Sequence, residues 1–210
     1  LASVDAGPPF AVMLLCGLIF WQYFSTSVST ATTSIVINKN LVKKVRFTRE
    51  VIPIATCCMP LVQLGIGFVM LICAHLILGG TINSSVIYFP VIFGIEFAMT
   101  IGIALLLSCG HTYFRDVGNL VNVLLLFGFY ASPVFYPMEL VNSDRLPAWM
   151  PYLYMSNPMV GLLTAYRQIL FEQRFPDIAL LLWPVICTVF VVSIGVAVFR
   201  RHAATMADQL

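Results

Sequence analysis

Charge is what this chain most lacks: Asp, Glu, Lys and Arg make up 10% of its 210 residues, whereas 60% are hydrophobic. A soluble domain of this size carries about a quarter charged residues. So few charges, and more apolar surface than one core can bury, make lipid the solvent. The net charge of +2 is too small to suggest a nucleic-acid partner. Metal-ligand spacing is also missing. Cys16, Cys57, Cys58, Cys73, Cys109 and Cys187 lie within or at the ends of apolar runs, without C-x-x-C or Cys/His patterns, and read as small helix fillers. There is no paired-carboxylate pattern, G-x-S-x-G, H-E-x-x-H or G-x-x-x-x-G-K-[ST]. The Cys109/His111 proximity sits at a helix end with no orienting motif and reads as coincidence. No catalytic residue, metal site or bound cofactor is therefore expected, and nucleotide hydrolysis must occur on another chain. A membrane-embedded transferase would need acids or histidines around a common cavity, and none is visible.

What is present is long apolar runs. Residues 9–36, 52–78, 86–109, 120–136 and 178–199 qualify as spans, the fourth being short. Orientation follows from the basic residues. Lys39, Lys43, Lys44, Arg46, Arg49, Arg115, Arg200 and Arg201 put eight of the eleven Lys and Arg on one side, the cytoplasmic one. The uncharged loop 79–85 is then external. The opening LASVDAGPPF lacks a basic leader and a cleavage site. A chain that starts outside without a signal calls for a further span upstream, as does its first residue, Leu rather than Met. Six spans are expected in the full protein. Between residues 137 and 177, two apolar pieces interrupted by Pro147, Pro151 and Pro158 are too short to cross. A re-entrant or surface-lying helical hairpin on the outer face is expected, with a compact external loop as the bland alternative.

Four features carry candidate chemistry. In residues 38–53, Leu41, Val42 and Val45 share a helical face, with Phe47 close to it, and Lys43, Lys44 and Arg46 point elsewhere. Such a basic amphipathic helix either anchors on anionic headgroups or docks a cytoplasmic partner. In the first span, Trp21, Tyr23 and Phe24 precede Ser25, Thr26, Ser27, Ser29, Thr30, Thr32, Thr33 and Ser34. Hydroxyls this dense either pack helices closely or line a wet path, where rings and hydroxyls suit a sliding glycan. Phe127, Phe129, Tyr130, Phe135 and Tyr136 crowd the end of the fourth span, as an aromatic belt or a channel mouth. Glu96 and His75 lie within spans; Glu96, with no neighbouring acid or base, reads as a hydrogen-bonded packing residue before an ion-coupling one.

Four blocks in order, NLVKKVRFTREVIP at residues 40–53, YFRDVGNLVN at 113–122, ASPVFYPMELV at 131–141 and SNPMVGLLTAYRQIL at 156–170, resemble the ABC-2 type permeases of polysaccharide, O-antigen and teichoic-acid export. The resemblance implies one N-terminally truncated transmembrane domain over residues 1–210, an all-α polytopic bundle. It also implies a permease homodimer clasped by ATP-binding subunits that carry the ATP and Mg, with a lipid-linked glycan as cargo. An exporter of drugs or small lipids is the alternative. The ATPase-coupling residues it implies are Asn40, Leu41, Lys43, Lys44, Val45, Arg46, Phe47, Arg49 and Glu50, with Arg115 and Asp116 as a second contact. Trp21, Tyr23, Phe24, Phe127, Phe129, Tyr130, Phe135 and Tyr136 would touch the glycan. Pro137, Asn157, Pro158, Tyr166 and Arg167 would belong to an external gate. Thr48 stands where the family often has Pro. The family's first span and its preceding amphipathic helix are not in this sequence, so this piece alone is not expected to form a sealed channel.

Overall fold

The computed structural model describes residues 10–44, 48–135, 154–203 and 205, and among them there are helices and no strand. Helix α1 (Phe10–Ile37) is followed by the short α2 (Lys39–Lys44), α3 (Val51–Cys58) and α4 (Leu61–Ile77). A 3-10 turn (Ser84–Tyr88) leads into α5 (Phe89–Tyr113), then α6 (Val117–Tyr130), α7 (Pro158–Leu170) and α8 (Ile178–His202). Four stretches are long and apolar enough to cross a membrane: Phe10–Ile37, Val51–Ile77, Ser84–Tyr113 and Ile178–His202.

Helix boundaries follow local chemistry. Pro60 has no N–H to continue α3, so the second span breaks there and restarts as α4. Asn83 caps the 3-10 turn by accepting from the Ser84 amide at 2.7 Å. Asn157 caps α7 through the Met159 amide and Asp177 caps α8 through the Ala179 amide, each at 3.0 Å. Basic Arg200, Arg201 and His202 close α8, where the helix dipole favours them.

One span differs from expectation. Over residues 120–136 the structure has α6, which starts earlier and stops at Tyr130 after 14 residues. That is about 21 Å of helix, short of a full crossing. Pro133 is the reason, since it disfavours helix at the residue before it and supplies no N–H. The chain turns at residues 131–134, and Ser132 and Val134 are fully buried.

At the centre α5 packs on α1 and α8. The α5–α8 crossing is close enough that a Cβ on Gly195 would lie 2.5 Å from the Gly102 carbonyl oxygen. The main core gathers Phe20, Tyr23, Ile92, Met99, Leu162 and Tyr166. A second cluster joins Ile35, Val42, Ile52, Leu105, Cys109 and Phe199, so the C-terminal ends of α1, α5 and α8 meet at one end of the bundle, next to Lys39, Arg115 and Arg200. Cys16, Cys57 and Cys109 are buried fillers, and no His/Cys/Asp/Glu group suited to a metal occurs among the described residues.

Candidate functional site

The hydroxyls of α1 divide into two sets by helical phase. Thr32 and Ser34 are buried and donate back to the carbonyls of Val28 and Ala31, both at 2.7 Å. They serve the helix's own packing. Gln22, Ser25, Thr26, Ser29 and Thr30 instead line an open groove between α1 and α6, of about 450 Å³, completed by Trp21, Asn122 and Phe129. Ser29 donates to Asn122 Oδ1 at 2.8 Å, and Gln22 Nε2 donates to Thr26 Oγ1 at 3.0 Å. On the other flank, Thr26 and Thr30 share a second hollow of about 480 Å³ with Pro60, Gln63 and Ile66. A row of amides and hydroxyls at membrane depth is costly against lipid tails. Water, a polar cargo or another protein surface must meet it.

The aromatic residues expected along a path are not all brought to this groove. Trp21 lines it, with its ring over Gly128 and its centroid 6.0 Å from that of Phe129. Phe129 packs on Phe135 at 4.9 Å and on Tyr130 at 5.5 Å, making an aromatic end to α6. Phe127 and Tyr130 are well exposed. Tyr23 is turned inward, where its hydroxyl donates to the Cys57 carbonyl at 3.5 Å, although its ring borders a smaller hollow with Gln63. Phe24 is buried against Trp21. Tyr136 lies outside the described residues. The amides Gln22 and Asn122 of the groove, and Gln63 of the hollow on the other flank, escaped the sequence reading. Gln22 follows Trp21 within an apolar run and continues the outward phase of Thr26 and Thr30, which is the signal that would have found it.

At the basic end, α2 splits its apolar residues. Val42 is 4% exposed and plugs the second core cluster, whereas Leu41 is 46% exposed beside exposed Lys39, Asn40 and Lys43. Lys44 ends the helix. Val45, Arg46 and Phe47, and the Lys44 side chain, lie outside the described residues. Arg49 and Glu50 are half-buried, and Glu50 accepts from Arg200 Nε at 2.9 Å, joining the end of α8 to the start of α3. Arg115 and Asp116 are exposed at the α5–α6 corner. His111 Nδ1 sets that corner by accepting from the Gly118 amide at 3.2 Å.

The hairpin residues sit deeper than a surface-lying reading allows. Helix α7 is inserted among α1, α5 and α8 with eleven of its 13 residues buried. Tyr166 donates to Glu96 Oε2 at 2.6 Å and stacks on Phe20 with centroids 3.7 Å apart. Glu96, fully buried in α5, thus has Tyr166 as a hydrogen-bond partner. Arg167 Nη2 donates to the carbonyls of Pro133 and Val134. Asn157 Nδ2 donates to Ser132 Oγ at 2.9 Å, and Pro158 begins α7. Pro137 lies outside the described residues. His75 is buried beside Phe171, with Nε2 3.3 Å from the Thr81 carbonyl.

The ABC-2 type transporter family profile matches residues 3–171. The O-antigen export system permease protein RfbA of Myxococcus xanthus is 28% identical over 203 residues, covering 97% of this chain and 77% of that protein. Two proteins of the same description from Klebsiella pneumoniae are each 25% identical. One is matched over 207 residues (97% of this chain, 76% of the relative), the other over 163 (77% and 61%).

Proposed function

Because this chain belongs to the ABC-2 type transporter family, we propose that it is the multi-pass permease subunit of an ATP-driven exporter carrying lipid-linked polysaccharide across the cytoplasmic membrane. Two copies would enclose the path, and separate ATP-binding subunits would hold the ATP and Mg. The relatives named for O-antigen export support the cargo class. The observation that carries the reading is the row Gln22, Ser25, Thr26, Ser29 and Thr30 opening outward from α1. Sugars present many hydroxyls and apolar C–H faces. Short hydroxyl and amide side chains exchange hydrogen bonds with them without fixing one geometry, while half-buried Phe129, backed by the buried Trp21, offers apolar surface. A chain can slide along such a lining because no contact in it is strong.

Coupling falls to the basic end. Leu41 is presented to the cytoplasm between Lys39 and Lys43, which suits a buried anchor inside a charged rim. Arg115 and Asp116 supply a second contact or brace. The test is the full permease in cells that make the glycan. Its deletion should trap glycolipid on the cytoplasmic side. Gln22→Leu with Thr26→Leu should lower surface glycan at least fivefold while the complex with its ATP-binding subunit still purifies. Undiminished surface glycan from that variant would remove the groove from the path. A deletion strain that retains surface glycan but becomes sensitive to drugs would favour the small-molecule alternative.

A further inference from the structure

We propose that Glu96, Tyr166 and Arg167 are positioning residues for export: they make α7 and the turn after α6 a wall fixed to α5. This rests on the export reading above, and it differs from a hairpin that swings as a gate.

A swinging leaf needs a face that can part from its neighbours. Helix α7 has none, since only Pro158 and Thr164 escape burial among its 13 residues. Its ties are polar as well as apolar. At mid-length the Tyr166 hydroxyl meets Glu96, which is itself fully buried in α5. Parting them would strand a phenol and a carboxyl where no water replaces the bond. The Tyr166 ring, stacked at 5° on Phe20, adds α1 to the same junction.

Arg167 answers a different need. Helix α6 stops at Tyr130, and Pro137 has no N–H with which a helix could continue from the Pro133 carbonyl. Non-helical backbone is tolerated at membrane depth only when protein supplies those donors. The Arg167 guanidinium does so for both carbonyls. Gly17 of α1 presses on the turn beside the guanidinium, where a Cβ would lie 3.0 Å from Val134 Cα. Asn157 holds the same turn through Ser132 Oγ. The far end of α7 is fastened towards α5 too. Ser85 Oγ donates to the Ile169 carbonyl at 3.0 Å, Gln173 Nε2 to the Thr81 carbonyl at 2.9 Å, and Asn83 Nδ2 to the Gln173 carbonyl at 3.3 Å. The ties to α5 and its leading loop thus run from Tyr166 to Gln173.

The experiment staples this junction from outside. In the full permease with its ATP-binding subunit and its native cysteines replaced, the six of this sequence among them, Thr81→Cys and Gln173→Cys are bridged by a short, reductively cleavable bis-thiol reagent. Thr81 is exposed and Gln173 is half-buried. Export should stay within twofold on bridging and on release. A tenfold fall on bridging that is reversed by reductant overturns the proposal. A second arm tests the ties themselves. Tyr166→Phe keeps the ring on Phe20 but loses the donor; it should lower export at least fivefold with complex assembly and ATP hydrolysis retained. Glu96→Gln keeps an acceptor and should export within twofold of the parent. Tyr166→Phe should add nothing to Glu96→Leu. Parental export from Tyr166→Phe would also overturn the assignment. The parent permease in the same assay reports separately: if it assembles and turns over ATP but moves no glycan, the export reading fails and this inference with it.

Discussion

Thr26 and Thr32 share a helix and a side chain, yet the packing gives them different work. Thr32 donates to the Val28 carbonyl in a buried position, so Thr32→Val removes one local bond and nothing a cargo could touch. Surface glycan should stay within twofold, and the loss of stability should be about 1 kcal/mol. Comparing its display with that of the Gln22/Thr26 variant, residue against residue, checks whether the outward phase alone matters. Gly195 sets a harder limit. A side chain there must displace the Gly102 carbonyl, so Gly195→Leu should cost about 1–3 kcal/mol and lower the thermal unfolding midpoint in detergent. Hydroxyl density in the first span was legible from the sequence. Which hydroxyls open outward was not, because that depends on where α4 and α6 lie against α1.

Among the elements, α2 makes the sharpest contrast. Val42 is tucked beneath the bundle and Leu41 faces out. Leu41→Asp should leave permease abundance unchanged and cut co-purification with the ATP-binding subunit at least tenfold. Val42→Asp should instead lower the abundance of the permease itself, as read on an immunoblot of membranes, because it buries an unpaired charge. Helix ends lay close to the expected span bounds, since Asn83, Asn157 and Asp177 act through bonds to their nearest neighbours, whereas the break at Pro60 fell inside a span read as continuous. The depth of α7 was not. Arg167 and Gln168 look like surface residues along the chain, and their burial depends on carbonyls 33–34 residues upstream and on the Asp177 amide. The shortness of α6 stands between these cases. Pro133 was visible, but the inward turn it permits needs Arg167 and Asn157 to satisfy it.

For the whole molecule, the charge asymmetry of the loops and the packing agree. The C-terminal ends of α1, α5 and α8, next to Lys39, Arg115 and Arg200, converge on one cluster, and the outer loops join through Thr81 and Gln173 at the other end. A cysteine placed at Arg115 in a cysteine-free permease should resist a membrane-impermeant thiol reagent in intact cells and react after permeabilisation. One placed at Thr81 should react in both. The opposite pattern would put the basic loops outside and leave an internal motor nothing to grip. The contact between Gly102 and Gly195 has a mechanical consequence at this scale. Main chains that touch directly have no layer of side chains to repack, so this crossing fixes how closely α5 and α8 lie. In the proposed exporter, a stroke delivered near Arg200, which donates to Glu50, would carry the two helices together at that crossing.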